Sequence, residues 1–135
     1  MKYTLLSIFL LTCFCLHAQD TTQQDGDKEF SKVQVEAKFP GGQIAWQEFL
    51  QQHIHARVPA KHKAPPGNYT VTMSFLVDKT GKVTDVKALN DPGYGTAQDA
   101  VNAFKHTPDW IPAMQNGKPV IYRQKQNITY QVTER

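Results

Sequence analysis

Cysteine is absent from the chain after residue 20, because Cys13 and Cys15 are the only cysteines of the 135-residue sequence. This distribution excludes disulfide bonds, thiol catalysis and cysteine-ligated zinc from the rest of the sequence. Serine is also scarce there, and neither Ser31 nor Ser74 lies in the strand–turn–helix context of a nucleophilic serine. The function of the folded part must therefore depend on other residue types.

A large excess of charge of one sign is also missing. Lys and Arg together number 15 and Asp and Glu 12, which gives a net charge of +3, and no dense basic cluster occurs. A balance this small does not favour a nucleic-acid partner, so we predict none. The composition also lacks the biases of collagen, coiled coils and disordered chains, so the length predicts one small globular domain.

No set of residues forms a recognisable catalytic, cofactor or metal site. His53 and His55 are two positions apart on a predicted helix, so they point to different faces, and His62 lies beyond that helix. The glycine-containing loop 92–95 lacks the Gly-Lys-Ser/Thr sequence of a phosphate loop. We therefore predict a protein that is not an enzyme and needs no cofactor or metal ion.

The longest apolar run, residues 5–16, has the anatomy of a secretory signal peptide. Lys2 precedes the run, and Ala18 follows it just before Gln19, so we predict cleavage near Ala18 or Gln19 and removal of residues 1–19. The run of 12 residues is short for a transmembrane helix, which needs about 20. This predicts a periplasmic or secreted protein; an uncleaved membrane anchor and a lipoprotein acylated on one of the two cysteines are the alternatives.

The remaining sequence divides into a lead and one domain. Residues 20–32 are mostly polar and predict a flexible lead, whereas residues 33–135 carry the hydrophobic periodicity of a folded domain. Within the domain, helical spacing of apolar residues alternates with stretches in which every second residue is apolar. The predicted elements are a helix over 43–55, strands over 69–77 and 83–89, a helix that starts at Thr96 and ends before Pro108, and a strand over 120–132.

Each predicted strand has one apolar and one polar face, which suits an antiparallel sheet that is covered by helices on one side. We therefore predict an α+β fold, a two-layer sandwich of a three-stranded antiparallel sheet with two helices on one face. Tyr94 lies between glycines in a loop and is predicted to be exposed. The predicted core consists of Trp46, Phe49, Leu50, Phe75, Val77, Val101, Phe104 and Trp110.

Six motifs occur in a fixed order along the domain. They are Phe39-Pro-Gly-Gly42, the strand 71–77 with the turn Asp78-Lys-Thr-Gly-Lys-Val83, Asn90-Asp-Pro-Gly-Tyr-Gly95, Pro108-Asp-Trp110-Ile-Pro112, Gln115-Asn-Gly-Lys118, and the closing strand from Tyr122. Together they resemble the TonB C-terminal domain in the form common in Bacteroidetes, over about residues 36–133. The resemblance implies the same fold and a periplasmic protein that binds another protein in connection with transport.

The resemblance also implies a binding site, because the last strand of TonB domains receives the TonB box of an outer-membrane receptor. The predicted strand 120–132 is longer than either hairpin strand, so we expect part of it to extend past its neighbour with unpaired backbone groups. The predicted partner-binding residues are Gln126, Asn127, Ile128, Thr129, Tyr130 and Gln131, with Tyr94 as a second contact.

Two alternatives remain open for this strand and for the protein. A second copy of the chain could pair with the last strand and form a homodimer. The protein could also be a stand-alone structural or adaptor protein without a role in energy coupling. The second alternative has support, because an energy transducer that resembles TonB carries an inner-membrane anchor and a long Pro-rich arm, and the lead of residues 20–32 is too short for that arm.

The predicted export signal can be tested on the cellular protein. Because signal peptidase cleaves after small residues, we expect intact-mass spectrometry to find an N-terminus at or next to Gln19. An intact Met1 in the membrane fraction would instead show that the apolar run is retained as an anchor.

Overall fold

The computed structural model describes residues 27–134. The predicted signal peptide, its cleavage position at Ala18 or Gln19 and most of the predicted lead therefore lie outside the described residues. The described part is an α+β fold with a sheet and helices packed on it, which confirms the predicted fold class. Its elements are β1 (Glu29–Phe30), α1 (Gly42–His53), α2 (Val58–Lys61), β2 (Gly67–Val77), β3 (Val83–Ala88), α3 (Thr96–Phe104), β4 (Ala113–Gln115) and β5 (Lys118–Val132).

The sheet is built around β2. One edge of β2 pairs antiparallel with β3, and the other pairs antiparallel with β5 along all 11 residues, from Gly67 opposite Val132 to Val77 opposite Tyr122. These are the three predicted strands. Two short strands were not predicted: β4 forms a hairpin with the start of β5, and β1 runs parallel to β5. The sheet therefore has five strands, in the order β1-β5-β2-β3 with β4 also paired to β5.

Strand β1 shortens the lead that was predicted over residues 20–32. The side chain of Arg123 on β5 donates hydrogen bonds to both carboxylate oxygens of Glu29, at 2.8 and 3.2 Å, and contacts Asp85 on β3 at 2.7 Å. These hydrogen bonds lower the pKa of both carboxyl groups. No local pattern could reveal this strand, because its partner residue is 94 positions away in the sequence.

Helices α1 and α3 confirm the two predicted helices, and α2 is an addition. The predicted elements left residues 56–68 without a helix. Pro59 instead lies in the first turn of α2, where a helix needs no backbone N–H from proline. A proline at this position therefore starts a helix rather than preventing one.

The core lies between the helices and the inner face of the sheet. Six of the eight predicted core residues are buried, whereas Leu50 and Val101 are half-buried against them. Trp46 is the centre of an aromatic cluster, with ring centroids 5.3–5.7 Å from those of its four neighbours. The prediction that Trp110 is a core residue is confirmed. The four neighbours of Trp46 are Phe39, Phe49, Phe104 and Trp110.

Gly81 connects the β2–β3 hairpin to this core. The amide of Trp110 donates a hydrogen bond to the Gly81 carbonyl at 2.7 Å, and the backbone of Gly81 has a positive φ of 93°. A Cβ atom at this position would lie 1.8 Å from the carbonyl oxygen of Trp110. Only glycine therefore permits both the turn and the close approach of the two backbones.

Replacing Gly81 by alanine should destabilise the protein more than replacing Gly117, which also has a positive φ but has open space around it. We expect Gly117→Ala to cost about 1–2 kcal/mol from the left-handed conformation alone. Gly81→Ala should cost about 1–3 kcal/mol more, because the Trp110 backbone must move. Urea unfolding of both variants measures the difference in the free energy of unfolding. An equal loss of stability in the two variants would show that the contact between Gly81 and Trp110 is dispensable.

Candidate functional site

Strand β5 has one fully paired edge and one edge that is mostly unpaired. Its paired edge contacts β2 at residues 122–132. The hairpin partner β4 lies along the same edge at residues 118–120, and the other edge of β5 pairs with β1 at Ile121 and Tyr122. Within residues 27–134, no strand pairs with that second edge at residues 123–132, a segment that we call the open edge of β5.

The direction of the backbone groups along β5 follows from hydrogen bonds on the far side of β2. The carbonyl of Thr72 accepts from the amide of Leu89 at 2.8 Å, so the Thr72 backbone faces β3. Successive residues of a strand direct these groups to opposite edges, so Val71 faces β5 and bonds with its partner Ile128. The residues of β5 whose N–H and C=O groups point to the open edge are consequently Lys125, Asn127, Thr129 and Gln131.

Side-chain contacts on the outer face of the sheet agree with this assignment. The hydroxyls of Thr70 and Thr129 are hydrogen-bonded at 2.8 Å, and Thr72 donates to the side-chain oxygen of Asn127 at 2.9 Å. Such close contacts are typical of opposed residues that do not exchange backbone hydrogen bonds, because their side chains lie nearer to each other. Asn127 and Thr129 are thus held to β2 by their side chains, while their backbone groups face away from it.

The structure modifies the predicted binding segment, residues 126–131. Part of β5 extends past β2, as predicted, but this part is residues 118–121; β2 accompanies β5 from Tyr122 to Val132, so residues 126–131 are paired with β2 along one edge. The side chains of Ile128 and Tyr130 are buried in the core. Gln126 is half-buried, and Asn127, Thr129 and Gln131 are exposed. The binding role of these residues remains a prediction.

The side chain of Asn90 covers part of the edge of β2 that faces away from β5. Beyond the end of β3, its side-chain oxygen accepts from the amide of Thr72 at 2.7 Å, and its side-chain nitrogen donates to the carbonyl of Thr70 at 2.8 Å. The amide side chain therefore replaces a strand along this part of β2. Sequence reasoning placed Asn90 in a loop and missed this role, although asparagine near a strand end often bonds to backbone groups.

A buried carboxylate fixes the C-terminal half of β5 to the helical layer. Asp99, in the first turn of α3, is 8% exposed and accepts a hydrogen bond from the Tyr130 hydroxyl at 2.8 Å. It also accepts from the backbone amide of His55 at 2.9 Å and lies 2.6 Å from His55 Nδ1. The sequence alone pointed to no such role for Asp99. Its three hydrogen bonds instead connect α3, the segment after α1, and β5.

Tyr94 is 38% exposed, which confirms the predicted exposure. Its ring packs edge-on against that of Tyr69 on β2, with centroids 5.3 Å apart. Partner binding by Tyr94 remains a prediction. In the part of the chain that the structure describes, no group of His, Cys, Asp and Glu side chains is arranged to hold a metal ion, and no helix has the length and apolar content to cross a membrane.

Comparison with known proteins gave one match. The family model described as Gram-negative bacterial TonB protein C-terminal matches residues 67–132, the region from the start of β2 to the end of β5. No curated protein and no solved structure gave a significant match.

The hydroxyl of Tyr130 should make stability sensitive to alkaline pH. Burial, assisted by the hydrogen bond to Asp99, raises its pKa above the value of about 10 in an unfolded chain. The stabilisation of the folded state by the Tyr130 hydroxyl is therefore fully present below pH 10. Above pH 10 it decreases, by up to about 1.4 kcal/mol of unfolding free energy per pH unit. Tyr130→Phe should remove this pH dependence and also cost about 1–3 kcal/mol at pH 7, because Asp99 loses a donor.

The measurement is the free energy of unfolding in urea between pH 8 and 11. Tyr94→Phe is the matched control, since the Tyr94 ring is exposed and the hydrogen bonds of Asp99 within residues 27–134 go to His55 and Tyr130. If Tyr130→Phe leaves the alkaline dependence of the wild type unchanged, the hydroxyl of Tyr130 is not responsible for it.

Proposed function

Because residues 67–132 belong to the TonB C-terminal domain family, we propose that the chain binds an extended segment of a partner protein along the open edge of β5. Domains of this family are non-enzymatic modules that interact with proteins of the cell envelope, such as outer-membrane receptors. The proposed partner is the TonB box of a TonB-dependent outer-membrane receptor, and the proposed setting is the periplasm during transport.

The unpaired backbone of β5 is the observation that carries this proposal. Asn127, Thr129 and Gln131 each direct one N–H and one C=O away from β2, and no strand within residues 27–134 bonds to them. An incoming strand can bond to these groups and extend the sheet, which is the β-augmentation mode of peptide recognition. The backbone bonds supply affinity, whereas the neighbouring side chains select among partners.

The contrast between the covered edge of β2 and the open edge of β5 also supports the proposal. Proteins usually cover a strand edge or protect it with charge, because a bare edge can pair with any other chain. Asn90 covers the border of β2, but the outward side chains along the open edge are Arg123, which is bonded to Glu29 and Asp85, then Lys125 and uncharged polar groups. This polar surface keeps the edge compatible with water without closing it to a partner strand.

Two proline variants test the role of the backbone donors. Asn127→Pro and Thr129→Pro each remove one outward-facing N–H and leave the backbone bonds to β2 intact, because the backbone groups of these two residues point away from it. Each variant also loses one side-chain hydrogen bond to β2. We expect each variant to bind a synthetic TonB-box peptide, taken from a receptor of the same organism, at least about 10-fold more weakly by fluorescence anisotropy. A lost hydrogen bond with an orphaned partner accounts for a change of this size.

Asn127→Ala and Thr129→Ala are the matched controls, since they remove the same side chains but keep the N–H. Circular dichroism establishes that all four variants remain folded. Unchanged peptide affinity in both proline variants would contradict the proposed edge. If the wild type instead forms a dimer in analytical ultracentrifugation and the proline variants are monomers, the partner of the edge is a second copy of the chain.

A further inference from the structure

A pocket of about 300 Å³ lies along the inner side of β5, next to the first part of the open edge. β5 forms one wall, and the segment that leads into α1 forms the opposite wall. Its floor is aromatic, because the rings of the core cluster reach it from below. Phe39, Trp46 and Trp110 line the floor, and the polar lining residues include Glu36, Lys38, Gln124 and Gln126.

Gln124 supplies the pocket with an unused hydrogen-bond acceptor. Its side chain is 6% exposed, and its Oε1 atom has no hydrogen-bond partner within residues 27–134. A buried acceptor without a partner costs free energy, so most proteins avoid one. The residue at the opposite position of β2 is Phe75, which has no side-chain donor to offer. Because this atom is closed to solvent in the free protein, a donor from outside reaches it when the Gln124 side chain turns toward the pocket that it lines.

The register of the sheet determines which group that would be. A strand added to the open edge lies about 4.8 Å from β5, and its side chains align with those of β5 on the same face. The side chains of Gln124 and Gln126 line the pocket. A partner residue opposite one of them therefore points its own side chain into the pocket. This argument rests on the proposed function, because it requires a strand on the open edge.

We propose that this pocket selects the partner segment through one uncharged side chain that carries a hydrogen-bond donor: a carboxamide, a hydroxyl or an indole N–H. The donor bonds to Gln124 Oε1, and the rest of the side chain lies on the aromatic floor. A charged side chain gains little electrostatic binding free energy, because Glu36 and Lys38 both line the pocket and their opposite charges offset each other. The pocket thus adds side-chain selectivity to an otherwise sequence-independent backbone interaction.

A random nine-residue peptide library displayed on phage, selected against the purified protein, provides the test. For the wild type, we expect one peptide position to be enriched in uncharged donor side chains. Gln124→Met keeps a similar volume but removes the acceptor, so that position should change to aliphatic residues. Gln124→Glu adds a negative charge, so the same position should change to Lys or Arg. The preferences at all other positions should stay the same.

Thermal unfolding of the free protein gives a second measurement that does not depend on any peptide. Because Gln124→Met removes an unpartnered buried acceptor, we expect its Tm to be above that of the wild type. At the same time, its affinity for the peptide preferred by the wild type should fall about 10-fold. A lower Tm, or the same selected residues for all three proteins, would overturn the proposed role of Gln124.

The outcomes separate this inference from the proposed function. If Asn127→Pro weakens the binding of the selected peptides but substitution of Gln124 does not change their sequence, only the pocket inference fails. If the peptides bind equally well to Asn127→Pro and Thr129→Pro, the proposed edge fails and the inference fails with it. A library that yields no binders contradicts both.

Discussion

The antiparallel pairing of β2 with β5 is the interaction on which the rest of the structure depends. All 11 residues of β2 take part, and the inner faces of the two strands provide Val71, Phe75, Ile128 and Tyr130 to the core. A shift of the register by one residue would turn these side chains to the solvent, so the hydrophobic core specifies the pairing strongly. The same register also determines which backbone groups of β5 remain unbonded.

The outer edge of β2 is covered, whereas most of the outer edge of β5 is unpaired within residues 27–134. On the side of β2, β3 and then the side chain of Asn90 occupy the backbone groups. On the side of β5, the short strand β1 ends opposite Tyr122, and Arg123 holds β1 there through Glu29. The domain therefore combines a rigid, well-packed strand with an exposed backbone edge, and rigidity lowers the entropic cost of binding an extended segment.

Much of the fold was predictable because its signals are local. Alternation of apolar residues identified the three long strands, helical spacing identified α1 and α3, and the Asn116-Gly117 turn marked the β4–β5 connection, where both residues have positive φ. Elements α2 and β1 were missed for different reasons. Proline is compatible with a first helical turn as well as with a loop, and β1 is too short to show a period and depends on a distant arginine.

The period of two along a strand is a property of the chain alone, so the order of the amino acids already specifies which side chains of β5 face the core and which face the solvent. It also indicated the family through the order of its motifs. The order of the strands, and with it which edge of β5 is open, depends on contacts between distant segments, so it follows from the tertiary structure and from no local pattern. For the same reason, it took the fold to bring Gln124 beside the aromatic rings and to leave its acceptor without a partner among residues 27–134.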